Sequence, residues 1–226
     1  NKNASKAGAT QTRIAALALE MKANPSEVKK LVLTALKDKN KSYRYSALLF
    51  ANEKPSKELY EAIVGYAKKA DVSTKMDIYN SLGDACLKAD KRSLIVSTAF
   101  DALLKELNES DGELQSIVAL ALSRTGDTRA IVPLVTLLNS EDGNQVNTVK
   151  EYLSSFDGNI NQEVANMVTE ASEVGKVAAI ELLSARRAND FLDTVLKELD
   201  NSSATIQNAA YMALPNLVEE KDLATL

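Results

Sequence analysis

The 226-residue chain has no histidine, no tryptophan and one cysteine, Cys86. Without histidine there is no Ser-His or Cys-His nucleophile pair, no imidazole base and little scope for a transition-metal site. A lone cysteine excludes an intrachain disulfide and any multi-cysteine zinc site. Cys86 stands in the apolar stretch Leu82-Gly83-Asp84-Ala85-Cys86-Leu87, with no basic neighbour to lower its pKa, and reads as a small core residue. Aromatics are only 5%, and the 8 glycines and 4 prolines are too few for a sandwich that turns every dozen residues. No apolar run approaches the ~18 residues of a membrane span. What remains, 45% apolar and 26% charged residues, is the balance of a soluble, helical protein.

The net charge of -4 is unevenly spread. Residues 1–113 carry 19 Lys/Arg against 15 Asp/Glu, and residues 114–226 carry 8 against 16. The basic excess gathers at Lys29, Lys30, Lys37, Lys39, Lys41 and Arg44. Such a cluster steers acidic partners, or is simply a solvated lysine-rich face. Lysine outnumbers arginine there, whereas bidentate phosphate recognition favours arginine.

A repeat organises the rest. The pattern of a basic or polar residue followed three positions later by Ala and an apolar residue occurs at Arg13-Ile14-Ala15-Ala16-Leu17 and Arg44-Tyr45-Ser46-Ala47-Leu48. Weaker copies begin at Lys75, Gln115, Asn147, Val177 and Gln207, at offsets of 31, 31, 40, 32, 30 and 30 residues. Each unit holds two helical patterns. Leu114, Ile117, Val118 and Ala121 fall at i, i+3, i+4 and i+7, as do Ile131, Leu134, Val135 and Leu138. Ile14, Leu17, Ala18 and Met21 form another such stripe, followed by Val28, Leu31, Val32 and Ala35. The long third unit predicts extended helices.

The breaks carry helix-start chemistry. Asn24-Pro25-Ser26-Glu27 reads as N-cap, N1 proline and an N3 acid reaching back to the cap. Asp127 follows Thr125-Gly126 as the cap of the next helix. Pro133 fits a first turn, and Pro215, inside an apolar pattern, predicts a kink. The Asp-Gly pairs 111–112, 142–143 and 157–158 read as helix-terminating turns. An EF-hand counted back from their glycines puts Leu107, Leu138 and Leu153 at the first ligand position, so no calcium loop is present.

Residues 119–138, ALALSRTGDTRAIVPLVTLL, resemble HEAT repeats, in particular the bacterial HEAT-like type also found in phycobilin lyases, whose pattern is A-x-x-A-L-x-x-x-G-D-x-R-A-I-x-P-L-x-x-L-L. Asp38 with Arg44 keeps the family's loop Asp and helix-start Arg, and Asn147 and Val177 replace that Arg. The resemblance implies an all-α, armadillo-like solenoid (α-α superhelix) of about seven HEAT-like helix pairs in one right-handed stack, its second helices lining a concave face. The expected organisation is a polar lead over 1–11 and a single repeat domain over 12–226. Units begin near 12, 43, 74, 114, 146, 176 and 206 of what reads as a fragment of a longer chain.

Nothing here builds a phosphate loop or a nucleophile elbow, and no bilin pocket or aromatic nucleotide cleft is visible. Glu219-Glu220 and Glu141-Asp142 sit at expected helix ends or loops, where carboxylates stay ordinary. The sequons at Asn3, Asn40, Asn108 and Asn201 follow from Asn and Ser favouring loops. No catalytic residue, metal ligand or cofactor is expected. The expected function is a non-enzymatic protein-interaction scaffold, compatible with a bacterial cytoplasm or periplasm. Its partner surface is Lys30, Thr34 and Lys37 in the first unit and Lys57, Glu61 and Lys68 in the second. Two alternatives stand beside it. One is a nucleic-acid-binding solenoid using the basic N-terminal third with Tyr43, Arg44 and Tyr45. The other is a non-catalytic accessory domain of a larger enzyme.

Overall fold

A computed structural model describes residues 2–156 and 158–224. Thirteen α-helices and six short 3₁₀ turns account for these residues, and no strand occurs among them. The chain divides into two compact units, Asn1–Thr125 and Gly126–Leu226.

The first unit holds α1 (Lys2–Ala23), α2 (Val28–Ala35), α3 (Lys41–Ala51), α4 (Lys57–Ala67), α5 (Val72–Cys86), α6 (Ala89–Glu109) and α7 (Gly112–Thr125). Odd-numbered helices pack in succession, α1 on α3, α3 on α5 and α5 on α7, and α2, α4 and α6 form a second layer beside them. The second unit holds α8 (Ile131–Thr136), α9 (Gly143–Ser154), α10 (Asn161–Glu170), α11 (Glu173–Ala185), α12 (Leu192–Leu196) and α13 (Ala204–Leu217). There α9, α11 and α13 form one layer and α8, α10 and α12 the other.

All seven repeat starts read from the sequence fall inside odd-numbered helices. The stripes that marked them are the packing faces: Leu17, Met21, Val32 and Ala35 are buried, as are Leu114, Val118, Ala121, Ile131, Leu134, Val135 and Leu138. The third unit's extra length extends both helices, since α5 has 15 residues and α6 has 21 against 11 in α3 and 11 in α4. Residues 2–11, read as a polar lead, belong to α1.

A recurring cap starts the odd-numbered helices. The side chains of Asn40, Asp71, Asp142, Ser172 and Ser203 each accept from a backbone N–H in the helix that follows. The Asp-Gly pairs 111–112 and 142–143 therefore open helices instead of closing them, correcting the sequence reading. Gly112 and Gly143 are first residues of α7 and α9, and Asp142 takes the open amides of Asn144 and Gln145. Asp157 lies outside the described residues. Asn40 and Asn201 of the sequons are used internally, Asn40 as that cap and Asn201 as acceptor from the Ser203 N–H. The Asn24 side chain makes no cap bond, and Glu27 pairs forward with Lys30, because Pro25 opens a 3₁₀ turn there instead of an α-helical capping box. Asp127 does cap, accepting from the Arg129 N–H at 2.9 Å. Pro133 falls in the first turn of α8, and α13 ends at Leu217, two residues past Pro215.

Candidate partner-binding surface

Bonds between consecutive repeats echo the repeat length. Asn52 Nδ2 donates to Ser81 Oγ, 29 residues on, and Lys150 pairs with Glu181, 31 residues on. The basic or polar residue of the repeat motif has a defined job. The Arg44 guanidinium donates to the Asp38 carbonyl at 3.0 Å, and Gln207 Nε2 to the Asn201 carbonyl at 2.8 Å. Each satisfies a carbonyl of the loop that precedes its helix.

Arg44 thus differs from its sequence reading as part of a basic surface patch. It is 5% exposed, bonded to the Asp77 carboxylate at 2.8 and 2.7 Å and to Ser73 Oγ at 2.9 Å. Burial pushes the Asp77 carboxyl up, and the Arg44 guanidinium opposes that rise. Asp38, the loop residue that with Arg44 keeps the family pattern, gives its carboxylate to Arg13 and is held below the usual carboxylate range by that bond. Arg13 in turn lies 4.2 Å over the Tyr43 ring. The Tyr45 hydroxyl donates to Asp84 at 2.6 Å, and Arg124 pairs with the same carboxylate. Tyr43, Arg44 and Tyr45 are thereby engaged within the fold.

The six residues expected at a partner surface all stand exposed. Lys30 and Thr34 lie on α2 and Lys37 just beyond it, spaced i, i+4, i+7 opposite the buried Val32, Ala35 and Leu36. Lys57 and Glu61 lie on α4 and Lys68 caps its C-terminus, opposite the buried Leu59, Tyr60, Ile63, Val64 and Ala67. Helix α2 packs against α4, and Lys29 bridges to Glu58 between them, so the two stripes lie on neighbouring helices of one layer. Glu27 accepts from Lys30 at 3.0 Å and raises its pKa, while the Lys57–Glu61 pair is looser at 3.8 Å. Among the described residues no carboxylate pairs with Lys37 or Lys68. At such exposure these ion pairs contribute little to stability.

No group of three or more acidic or cysteine side chains that could hold a metal occurs among the described residues. Among the described residues no helix is long and apolar enough to cross a membrane. Cys86 is fully buried and burial pushes its thiol up to about 12, so the thiolate needed for reactivity is absent at neutral pH.

No family model and no curated protein matches the chain. Among solved structures it is similar to an archaeal HEAT-like repeats protein from Thermococcus onnurineus NA1, at 19% identity over 88% of this chain and 84% of that one, with a TM-score of 0.56. It is also similar to an engineered protein, at 17% identity over 84% of this chain and 96% of that one, with a TM-score of 0.52. Stacked helix pairs, a repeat of about thirty residues and these likenesses agree on the architecture: the chain has the HEAT-like repeat fold, an all-α solenoid.

Proposed function

We propose that this chain is a non-enzymatic scaffold that binds a protein partner through the outward face of α2 and α4, at Lys30, Thr34, Lys37, Lys57, Glu61 and Lys68. One observation carries the reading: these side chains are exposed while the packing residues of the same helices lie on the opposite side. The stack does not need them, so their charge is available to a partner. Five charged side chains, four of them cationic, favour an acidic polar surface on that partner and association assisted by steering.

The test is capture from source-cell lysate by the purified chain, beside a Lys30→Glu/Lys37→Glu/Lys68→Glu variant, with and without nuclease. A protein held by wild type and lost on the variant is the expected result. Capture abolished by nuclease, or equal on both baits, overturns the proposal.

A further inference from the structure

We infer that a second site, at the edge where α1, α3 and α5 end, binds an extended protein segment in which an apolar side chain neighbours a carboxylate. The edge lies within the first unit and involves none of the six residues above. Two depressions adjoin there. One, of 250 Å³, is lined by Ala18, Met21, Val28 and Phe50, with Lys22, Glu53 and Lys54 at its rim. The other, of 460 Å³, is lined by Leu49, Asn52, Glu53, Asp84, Ala85, Lys88 and Lys91. They share Glu53 and meet across the consecutive residues Leu49 and Phe50 at the end of α3.

The charge in the second depression is unbalanced at its floor. Lys91 is 8% exposed, and its ammonium donates to the Asn52 carbonyl. No carboxylate among the described residues pairs with it. An ammonium with one neutral acceptor retains two donors that an entering anion can take. Asp84 lines the same space but is already engaged by Arg124 at 2.6 Å and by the Tyr45 hydroxyl. Lys22, Lys54 and Lys88 add three exposed cations, against the unpaired exposed carboxylate of Glu53 and the Asp84 carboxylate that Arg124 already holds.

The first depression supplies the other half of the recognition. Its volume falls below the ~300 Å³ at which small-molecule sites begin, and its apolar floor suits one aliphatic or aromatic side chain. Leu49, between the two, is 44% exposed and offers the segment an apolar ridge to cross. An occupant must therefore carry an apolar group and a carboxylate on one continuous backbone, which describes an acidic peptide segment better than a free anion.

The experiment is selection of a displayed random dodecapeptide library on the wild-type chain. Fluorescence anisotropy then follows with the most enriched peptide, synthesised and labelled. Three variants are compared: Lys91→Met, Lys54→Glu/Lys88→Glu, and Lys30→Glu/Lys37→Glu/Lys68→Glu as the control for the other surface. The expected result is enrichment of peptides pairing Glu or Asp with an apolar residue. Affinity should fall about tenfold or more on the first two variants and less than about twofold on the third. The rim variant changes only exposed side chains and keeps the test valid if Lys91→Met misfolds. Absence of enrichment, a basic consensus, unchanged affinity on the rim variant, or loss confined to the third variant overturns the inference. The last of these outcomes supports the α2–α4 surface instead, so the two proposals fail separately.

Discussion

At Arg187 the backbone takes φ 50°, a left-handed conformation that side chains with a Cβ enter at a cost. The reason is the end of α11. The Ala188 N–H bonds the Leu183 carbonyl and the Arg187 N–H bonds the Ser184 carbonyl, both at 3.0 Å, which is the Schellman arrangement with Arg187 at the glycine position. After α7 the same place in the repeat is held by Gly126, at φ 64°. Arg187→Gly should therefore stabilise the chain, by about 0.5–1 kcal/mol in urea unfolding. A loss of stability would show that the Arg187 side chain contributes more than its backbone costs. Cys86 makes a second residue-scale test. Fully buried, with its thiol pushed up to about 12, it should react with a thiol reagent at neutral pH only after unfolding. Fast labelling of the native chain would contradict its place in the core. Its burial was legible from the apolar run around it. The strained Arg187 was not, because a left-handed residue that is neither Gly nor Asn leaves no compositional mark.

Between helices, the polar bonds are the part that sequence reading missed. Odd-numbered helices were legible because their apolar stripes repeat about every thirty residues. Arg44 and Asp77 gave no such signal: each sits on a helix where a charged residue ordinarily marks the solvated face, and only the packing of α3 on α5 buries them. Asp77→Ala leaves Arg44 buried without its carboxylate and should cost about 3–5 kcal/mol. Arg44→Met/Asp77→Leu, which removes both charges, should recover most of that loss in the same unfolding measurement. Gly83 sets how closely α5 approaches α7, because a Cβ there would lie 3.0 Å from the Ala121 Cα. Gly83→Val should push the two backbones apart and cost about 1–3 kcal/mol. A neutral result would mean that α5 and α7 pack more loosely than the structure has them. The caps carry the pH dependence of the same layer. The Thr74 N–H holds Asp71 below its ordinary value, and the Arg13 guanidinium does the same to Asp38. With folded pKa values below unfolded ones, their stabilisation is complete above the unfolded value of about 4 and is lost as pH falls through the folded values. Asp71→Asn keeps a cap oxygen but cannot titrate, so its stability should fall less than that of wild type between pH 6 and pH 3.

Across the whole molecule, charge is segregated by unit. Residues 1–125 carry 20 Lys/Arg and 15 Asp/Glu, and residues 126–226 carry 7 and 16. This asymmetry was visible in the sequence, but which lysines face solvent was only half visible. Lys30, Lys37, Lys57 and Lys68 lie where helical spacing put them, whereas Lys91, in the first turn of α6, is drawn inward to a carbonyl of the preceding repeat. Spacing within one helix predicts which way a side chain points, and the neighbouring repeat decides whether that direction is solvent. The outward face of α2 and α4 is proposed to serve binding and not folding. That proposal is tested most directly by measuring the Lys30→Glu/Lys37→Glu/Lys68→Glu variant for both urea unfolding and partner capture. The expected result is a free energy of unfolding within about 0.5 kcal/mol of wild type together with loss of the captured protein. An unchanged fold that still captures the same protein would contradict it.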